Sequence, residues 1–213
     1  MERGMIGHDV LILGFAVAVI AAIFLSYYYS RSARIKRALR KTPRVDIASI
    51  HEGAVVKLVG RVDIDEPLRS PLSRRRCAYF EAVVEEHRST RNRSSWVEVI
   101  REVGSRDFRL RDESGEVTVA VREEDVALTS DVSMSTGFLK DPTPELEAFL
   151  AGHGQSGTGW IFNRSLRYRE GVLGVGERVA VLGVAQKSGD RWIIVGTAEH
   201  PLRVSDDPSV MSA

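Results

Sequence analysis

Val10 to Tyr28 reads VLILGFAVAVIAAIFLSYY, nineteen residues without a charge. At about 1.5 Å rise per residue, a helix of that length nearly crosses a hydrocarbon core of roughly 30 Å. Its backbone hydrogen bonds close within the segment, which is the condition for spanning lipid. Tyr27, Tyr28 and Tyr29 stand where an aromatic belt meets the headgroups. A cleaved signal peptide would have a basic start, a shorter apolar run and a small-residue cleavage site, whereas here the cations follow the run. A buried core helix would be apolar along one stripe, and this run is apolar all round. The expectation is one transmembrane helix over residues 10–29, with residues 1–9 outside.

Residues 31–44 then supply Arg31, Arg34, Lys36, Arg37, Arg40, Lys41 and Arg44 with no acid. By the positive-inside rule the C-terminal side lies in the cytoplasm, at a plasma or inner cell membrane. Residues 31–41 read as a continuing helix with Ile35, Ala38 and Leu39 on one face. The cations around that face, Arg31, Arg34, Lys36, Arg37, Arg40 and Lys41, are candidates for contact with anionic lipid headgroups. Each is worth about 1 kcal/mol near the surface; the alternative is that they only set topology. The chain carries +1 overall and residues 1–9 carry −1, so residues 45–213 carry −5 once the seven cations are set aside. An acidic domain argues against nucleic acid as its general partner.

Past Pro43 the texture changes to short β-type runs separated by turn residues. Val55–Val62 and Cys77–Glu86 come first. His87–Ser95 (HRSTRNRSS) holds no apolar residue and reads as a solvated loop between paired strands. Trp96–Val103 follows, and Phe108–Arg111 and Glu116–Val121 flank Asp112-Glu113-Ser114-Gly115, a hairpin turn with glycine expected at positive φ. Val117, Val119 and Val121 alternate with Glu116, Thr118 and Ala120, predicting one buried face. Thr143-Pro144-Glu145 is an N-cap, a first-turn proline and an acid, opening a short helix to about Ala151. Strand texture returns at Arg178–Val184, a turn at Lys187–Asp190, and Trp192–Val195. Many short strands with one short helix predict a mainly β domain over residues 45–205. Its expected form is an OB-like small barrel or barrel-like sheet with a helix-containing insertion at about 122–170. Residues 30–44 are the basic juxtamembrane segment and 206–213 a C-terminal tail.

Three strings carry a family resemblance: Leu68-Arg-Ser-Pro-Leu-Ser-Arg-Arg-Arg-Cys-Ala-Tyr-Phe-Glu81, Phe108-Arg-Leu-Arg-Asp-Glu-Ser-Gly-Glu-Val-Thr-Val119, and Tyr168-Arg-Glu-Gly-Val-Leu-Gly-Val-Gly-Glu-Arg-Val-Ala-Val-Leu-Gly183. Through them the stretch Ile47–Leu202 resembles the GIDE-type, or "beside a membrane" (BAM), domain of mitochondrial membrane-anchored E3 ubiquitin ligases. The resemblance implies a β-rich domain lying beside a bilayer and binding a ligand or partner. In those ligases catalysis belongs to a RING finger. Cys77 is the single cysteine of this chain, so the expectation is a form without the RING and without ligase activity of its own. An E3-like system acting through partners is the alternative.

The remaining motifs point to no enzyme. Gly152-His-Gly-Gln-Ser-Gly157 matches G-x-G-x-x-G, but it follows a helix and precedes strand texture, the reverse of a dinucleotide loop. Thr158 occupies the last glycine position of a nucleophile elbow, and no lysine completes a P-loop. His51, His87, His153 and His200 lack metal-ligand spacing. Cys77 opens an apolar strand and reads as a buried thiol. No metal or cofactor is expected.

Leu68–Cys77 is the sharpest site candidate. Pro71 stiffens it, Ser70 and Ser73 supply hydroxyls, and Arg69, Arg74, Arg75 and Arg76 supply planar donors that match carboxylate or phosphate. Glu81, with Glu85 and Glu86, offers counter-charge on the next strand. The loop is either a recognition surface for an anionic ligand, lipid headgroup or protein partner, or a solvated loop with structural ion pairs. A further alternative is single-stranded nucleic-acid binding through Arg88, Arg91, Arg93 and Trp96.

Overall fold

The computed structural model describes residues 30–90, 93–122, 126–128, 132–136, 143–154 and 165–212. The predicted span 10–29 lies outside the described residues, and among those residues no helix is long and apolar enough to cross a membrane. Two helices and eleven strands are described. Helix α1 is Arg31–Lys41 and helix α2 is Pro144–Gly152. The strands are β1 (Val55–Asp63), β2 (Leu68–Arg69), β3 (Arg76–Thr90), β4 (Arg93–Ser105), β5 (Phe108–Arg111) and β6 (Glu116–Val119). They continue with β7 (Val132–Thr136), β8 (Leu166–Gly174), β9 (Arg178–Ser188), β10 (Arg191–Val195) and β11 (Arg203–Ser205).

Five of them close the expected small barrel, in the order β1-β5-β6-β10-β9 with β9 pairing back to β1. The β6–β10 pairing is parallel and the others are antiparallel. Alternation decides which side chains fill it: Leu58 and Val62, Phe108 and Leu110, Val117 and Val119, Val179 and Val181, and Ile194 point into one core. The barrel is narrow enough that Gly60 has no room for a side chain. A Cβ there would lie 2.6 Å from the Arg111 carbonyl oxygen on β5.

The other strands form a second sheet. β3 runs through its middle, with β8 on one edge and β2 then β4 on the other, and β7 beyond β8. This sheet therefore draws on the stretch between β1 and β5 as well as on the predicted insertion. Helix α2 covers it, packing Leu146, Phe149 and Leu150 on Ala82, Val84, Ile100, Leu166 and Tyr168. Thr143 caps α2 by accepting from Leu146 N at 3.3 Å, with Pro144 in the first turn.

Two local expectations are corrected. Within the polar stretch His87–Ser95, residues 87–90 and 93–95 are strand and not loop: β3 and β4 pair there, from His87↔Trp96 to Thr90↔Arg93. Strand pairing needs backbone partners and not apolar side chains, so a hairpin arm standing in water carries polar residues on both faces. Gly115 is not at positive φ, which is confined among described glycines to Gly53, Gly154, Gly176 and Gly189. The Asp112 carboxylate closes that turn instead, accepting from the N–H of Ser114 (2.7 Å) and of Gly115 (3.0 Å). Burial alone would raise the Asp112 pKa. The Ser114 hydroxyl and the N–H groups of Ile47, Ser114 and Gly115 outweigh it and bring the pKa down.

Helix α1 forms where predicted. Ser30 caps it, accepting from Ala33 N at 3.3 Å, and Thr42 before Pro43 turns extended and ends it. Ile35 and Leu39, four residues apart, bury against Val59, Ala127, Ala180, Leu182 and Val210 on the outside of the barrel.

Candidate functional site

The loop between β2 and β3 is held from beneath by one carboxylate. Glu170, fully buried on β8, accepts from Leu72 N (2.8 Å), Ser73 N (3.0 Å) and Ser70 Oγ (3.3 Å). Ser70, also fully buried, knots the loop to itself. Its hydroxyl lies 2.8 Å from that of Ser73 and accepts from Arg75 N, while its own N–H donates to the Arg75 carbonyl at 3.0 Å. Arg74 sits at the tight corner with φ of 58°, a left-handed conformation that costs a non-glycine residue of order 1 kcal/mol.

This scaffold sorts the predicted residues into two groups. Ser70, Pro71 and Ser73 belong to the loop's internal frame. Arg75 pairs with Glu177 on the β8–β9 turn, and Glu81 pairs with Arg101 of β4 at 2.7 Å. Arg69, Arg74 and Arg76 are exposed, and Arg69 and Arg76 face each other across the β2–β3 register. Three guanidiniums thus leave one rigid loop toward solvent. Glu170 and Glu177, which organise it, were not singled out from sequence. The signal was there: Leu166, Tyr168, Glu170 and Val172 occupy alternating buried positions of β8, and an acid in such a series calls for buried donors.

Cys77 lies under the same loop, fully buried, with its Sγ 3.8 Å from the Leu68 carbonyl oxygen. Burial, seconded by the Glu170 charge, pushes its thiol pKa up to about 11. At neutral pH it is a protonated core group. His87 Nε2 lies 2.6 Å from Ser94 Oγ, but the pair stands on the exposed hairpin arm. Among the described residues no group of three His, Cys, Asp or Glu side chains is placed to hold a metal. The glycine-rich segment beyond Gly154 lies outside the described residues.

Of the residues proposed for nucleic acid, Arg88 and Trp96 are engaged by neighbouring side chains. Trp96 packs at a tilt against His87 (5.1 Å between centroids) and lies under Arg167 (4.7 Å), and Arg88 bonds Glu86 at 3.1 Å. Arg91 and the side chain of Arg93 lie outside the described residues. Beside Trp96, Arg167 also forks onto Glu85 at 2.5 and 3.0 Å, and that hydrogen bonding holds the Glu85 carboxyl below its usual range.

The cations of α1 are likewise divided. Lys36 bonds Asp207 at 2.6 Å and Arg40 bonds the Ser209 hydroxyl at 2.8 Å, tying the helix to the chain after β11. Lys36 and then Ser209 hold the Asp207 carboxyl far below its usual range. Arg31 and Arg37 are half-buried and each has an interaction partner, while Arg34 and Lys41 are exposed.

A closed five-stranded barrel, joined to a second sheet that frames a cationic loop, defines a mainly β domain with two short helices. The chain belongs to the GIDE family: that family's profile, described as E3 ubiquitin ligase, matches residues 81–207, more than half of the 213 residues. The match takes in Glu81, Glu170 and Glu177 and begins after the loop that Glu170 and Glu177 organise. No curated protein and no solved structure matches the chain.

Proposed function

We propose that this GIDE-family chain is a membrane-anchored binding or scaffold module. In this reading the 10–29 span holds the domain at the cytoplasmic face, where Arg34 and Lys41 meet anionic headgroups. The loop of Arg69, Arg74 and Arg76 engages an acidic surface on a protein partner or small ligand. The observation that carries the reading is the grip of Glu170 on that loop. A solvated charge run has no need of a buried carboxylate beneath it, whereas recognition gains affinity when its donors are held in advance. The anchor confines the domain to the bilayer, so modest affinity suffices. The module has no ligase chemistry of its own, and its buried Cys77 is no acceptor of ubiquitin.

The family's description as an E3 ubiquitin ligase favours a second reading, in which the module serves a ligase system through its partners. One experiment separates these from a loop that only keeps the surface soluble. Full-length wild type and the variant R69Q/R74Q/R76Q are purified side by side in mild detergent, with melting and co-purifying proteins compared. The expected result is unchanged melting, within about 0.5 kcal/mol for surface substitutions, with loss of a defined partner. Equal partner recovery from both would remove the loop as a recognition surface. A C-terminal tag digested by protease added to intact cells would overturn the cytoplasmic placement.

A further inference from the structure

Three arginines stand abreast on the outside of the barrel. Antiparallel registers place Arg61 of β1 opposite Arg178 of β9 on one side and opposite Arg111 of β5 on the other. Strands in a sheet lie about 4.8 Å apart, and like charges directly opposite are destabilising. Leu58, Val62, Val179 and Val181 point into the core, so Val59 and Arg61, with Arg178, Ala180 and Leu182, share the outer face. Helix α1 covers Val59, Ala180 and Leu182, while Arg61 and Arg178 are exposed. With Arg44, the three arginines line an open groove of about 630 Å³, a size that admits a small phosphorylated molecule.

The acids at this groove are mostly committed elsewhere. Asp63 bonds Arg109 at 3.0 Å and touches Arg111 at 3.2 Å, and Arg111 also has Glu116 at 2.8 Å. Asp112 holds the N–H groups of Ile47, Ser114 and Gly115. Glu113 also lines the groove, on the hairpin turn. Arg44 reaches Asp46 at 3.4 Å. Arg61 donates to a carbonyl, Gly176 O at 3.0 Å, and among the described residues Arg178 makes no ion pair. Two neighbouring guanidiniums therefore face the groove without a carboxylate between them.

We propose that Arg61 and Arg178, flanked by Arg111 and Arg44, form a binding site for a phosphomonoester dianion. Planar forks side by side match the oxygens of one phosphoryl group, and a double negative charge offsets the repulsion within the row. The phosphoryl group comes from a soluble metabolite or from a lipid headgroup. Helix α1, eleven residues long and therefore about 16 Å, lies in sequence between the apolar run and Arg44. The lipid source rests on the membrane-anchor reading; the soluble source does not.

The test is ligand-dependent melting of the full-length chain in phosphatidylcholine nanodiscs, since a ligand that binds only the folded state raises the melting temperature. One arm adds glycerol 3-phosphate. The other replaces part of the lipid with phosphatidic acid, a phosphomonoester, or with phosphatidylglycerol, a phosphodiester. Stabilisation by glycerol 3-phosphate identifies a soluble source, and stabilisation by phosphatidic acid above phosphatidylglycerol identifies a lipid source. In either case R61Q/R178Q should bind about tenfold more weakly or worse, and R191Q, away from the groove, should respond as wild type. Because Arg61 also bonds Gly176, R178Q alone is the second variant: it should melt at or above the wild-type temperature without ligand and lose the response. No stabilisation in either arm, or equal stabilisation of wild type and R178Q, overturns the proposal.

Discussion

The Glu170 carboxylate lies 3.0 Å from the backbone N–H of Ser73, on a loop 97 residues away in sequence. Through this contact and its bonds to Leu72 N and Ser70 Oγ, one side chain of the second sheet fixes the geometry of the loop that carries Arg69, Arg74 and Arg76. Loop and strand β8 are thus one unit.

Replacing Glu170 tests that unity. Glu170→Ala leaves buried donors without an acceptor, each costing roughly 1–3 kcal/mol, so a total loss of about 3 kcal/mol is expected in denaturant unfolding. Glu170→Gln keeps the shape and one acceptor oxygen, and should fall between Ala and wild type. A loss under about 0.5 kcal/mol for Glu170→Ala, the level of an ordinary surface change, would show that the loop is not held this way.

The docking of α1 makes a separate prediction. Leu39 is fully buried between the helix and the barrel, and Lys36 and Arg40 fasten the same helix to Asp207 and Ser209. Leu39→Ala should cost about 2 kcal/mol and expose the helix amides to hydrogen exchange while the barrel amides stay protected. The Asp207 carboxyl is held below its unfolded pKa, so its contribution is present above the ordinary carboxylate range and is lost as pH falls through and below it. Protection of the helix amides, measured against their intrinsic exchange rates, should therefore fall in acid before that of the barrel. Asp207→Asn should abolish that acid step.

These two relationships differ in how much of them the sequence shows. Ile35 and Leu39 at helical spacing, Val117 and Val119 in alternation, and the Thr143-Pro144 start of α2 are local patterns, and each element stands where its pattern puts it. What the barrel closes with is less legible, because β6 meets β10 and β1 meets β9 only after more than seventy residues of intervening chain. The arm His87–Ser95 lacks the apolar alternation by which a strand is recognised, yet its residues 87–90 and 93–95 pair as strands. Asp112 took over the role expected of Gly115, a substitution of hydrogen bonding for conformational freedom. In the candidate site, the exposed arginines stood out as a charge run. Their support did not, because a single acid such as Glu170 acquires meaning only once its buried position is known.

Cys77 gives a prediction in the alkaline range. Its thiol has a folded pKa of about 11, set by burial and then by the Glu170 charge, against about 8.5 in an unfolded chain. Between those values the unfolded state has lost the proton and the folded state keeps it, so stability falls with rising pH across this window and levels off above it. Cys77→Ala should flatten that part of the pH–stability curve relative to wild type. In native protein at pH 8 a thiol reagent should react only at the rate of unfolding. Rapid labelling without unfolding would mean the thiol is accessible and would reopen it as a nucleophile.

Arg74 gives the last prediction, and its sign is opposite to the usual one. Among the described residues it is the sole non-glycine at positive φ, in a loop corner closed by the bond from Ser70 N to the Arg75 carbonyl. Glycine adopts that backbone without the Cβ penalty, which is of order 1 kcal/mol, but it also loosens the unfolded chain by roughly 0.4–1 kcal/mol. Arg74→Gly should therefore be neutral or slightly stabilising, whereas Arg74→Val, β-branched in the same conformation, should destabilise by about 1–2 kcal/mol. Equilibrium unfolding of the two variants checks the pair. If Arg74→Gly leaves stability intact and nevertheless weakens partner recovery, the side chain is retained for its guanidinium. If recovery is unchanged, recognition falls to Arg69 and Arg76, the pair that faces across the β2–β3 register.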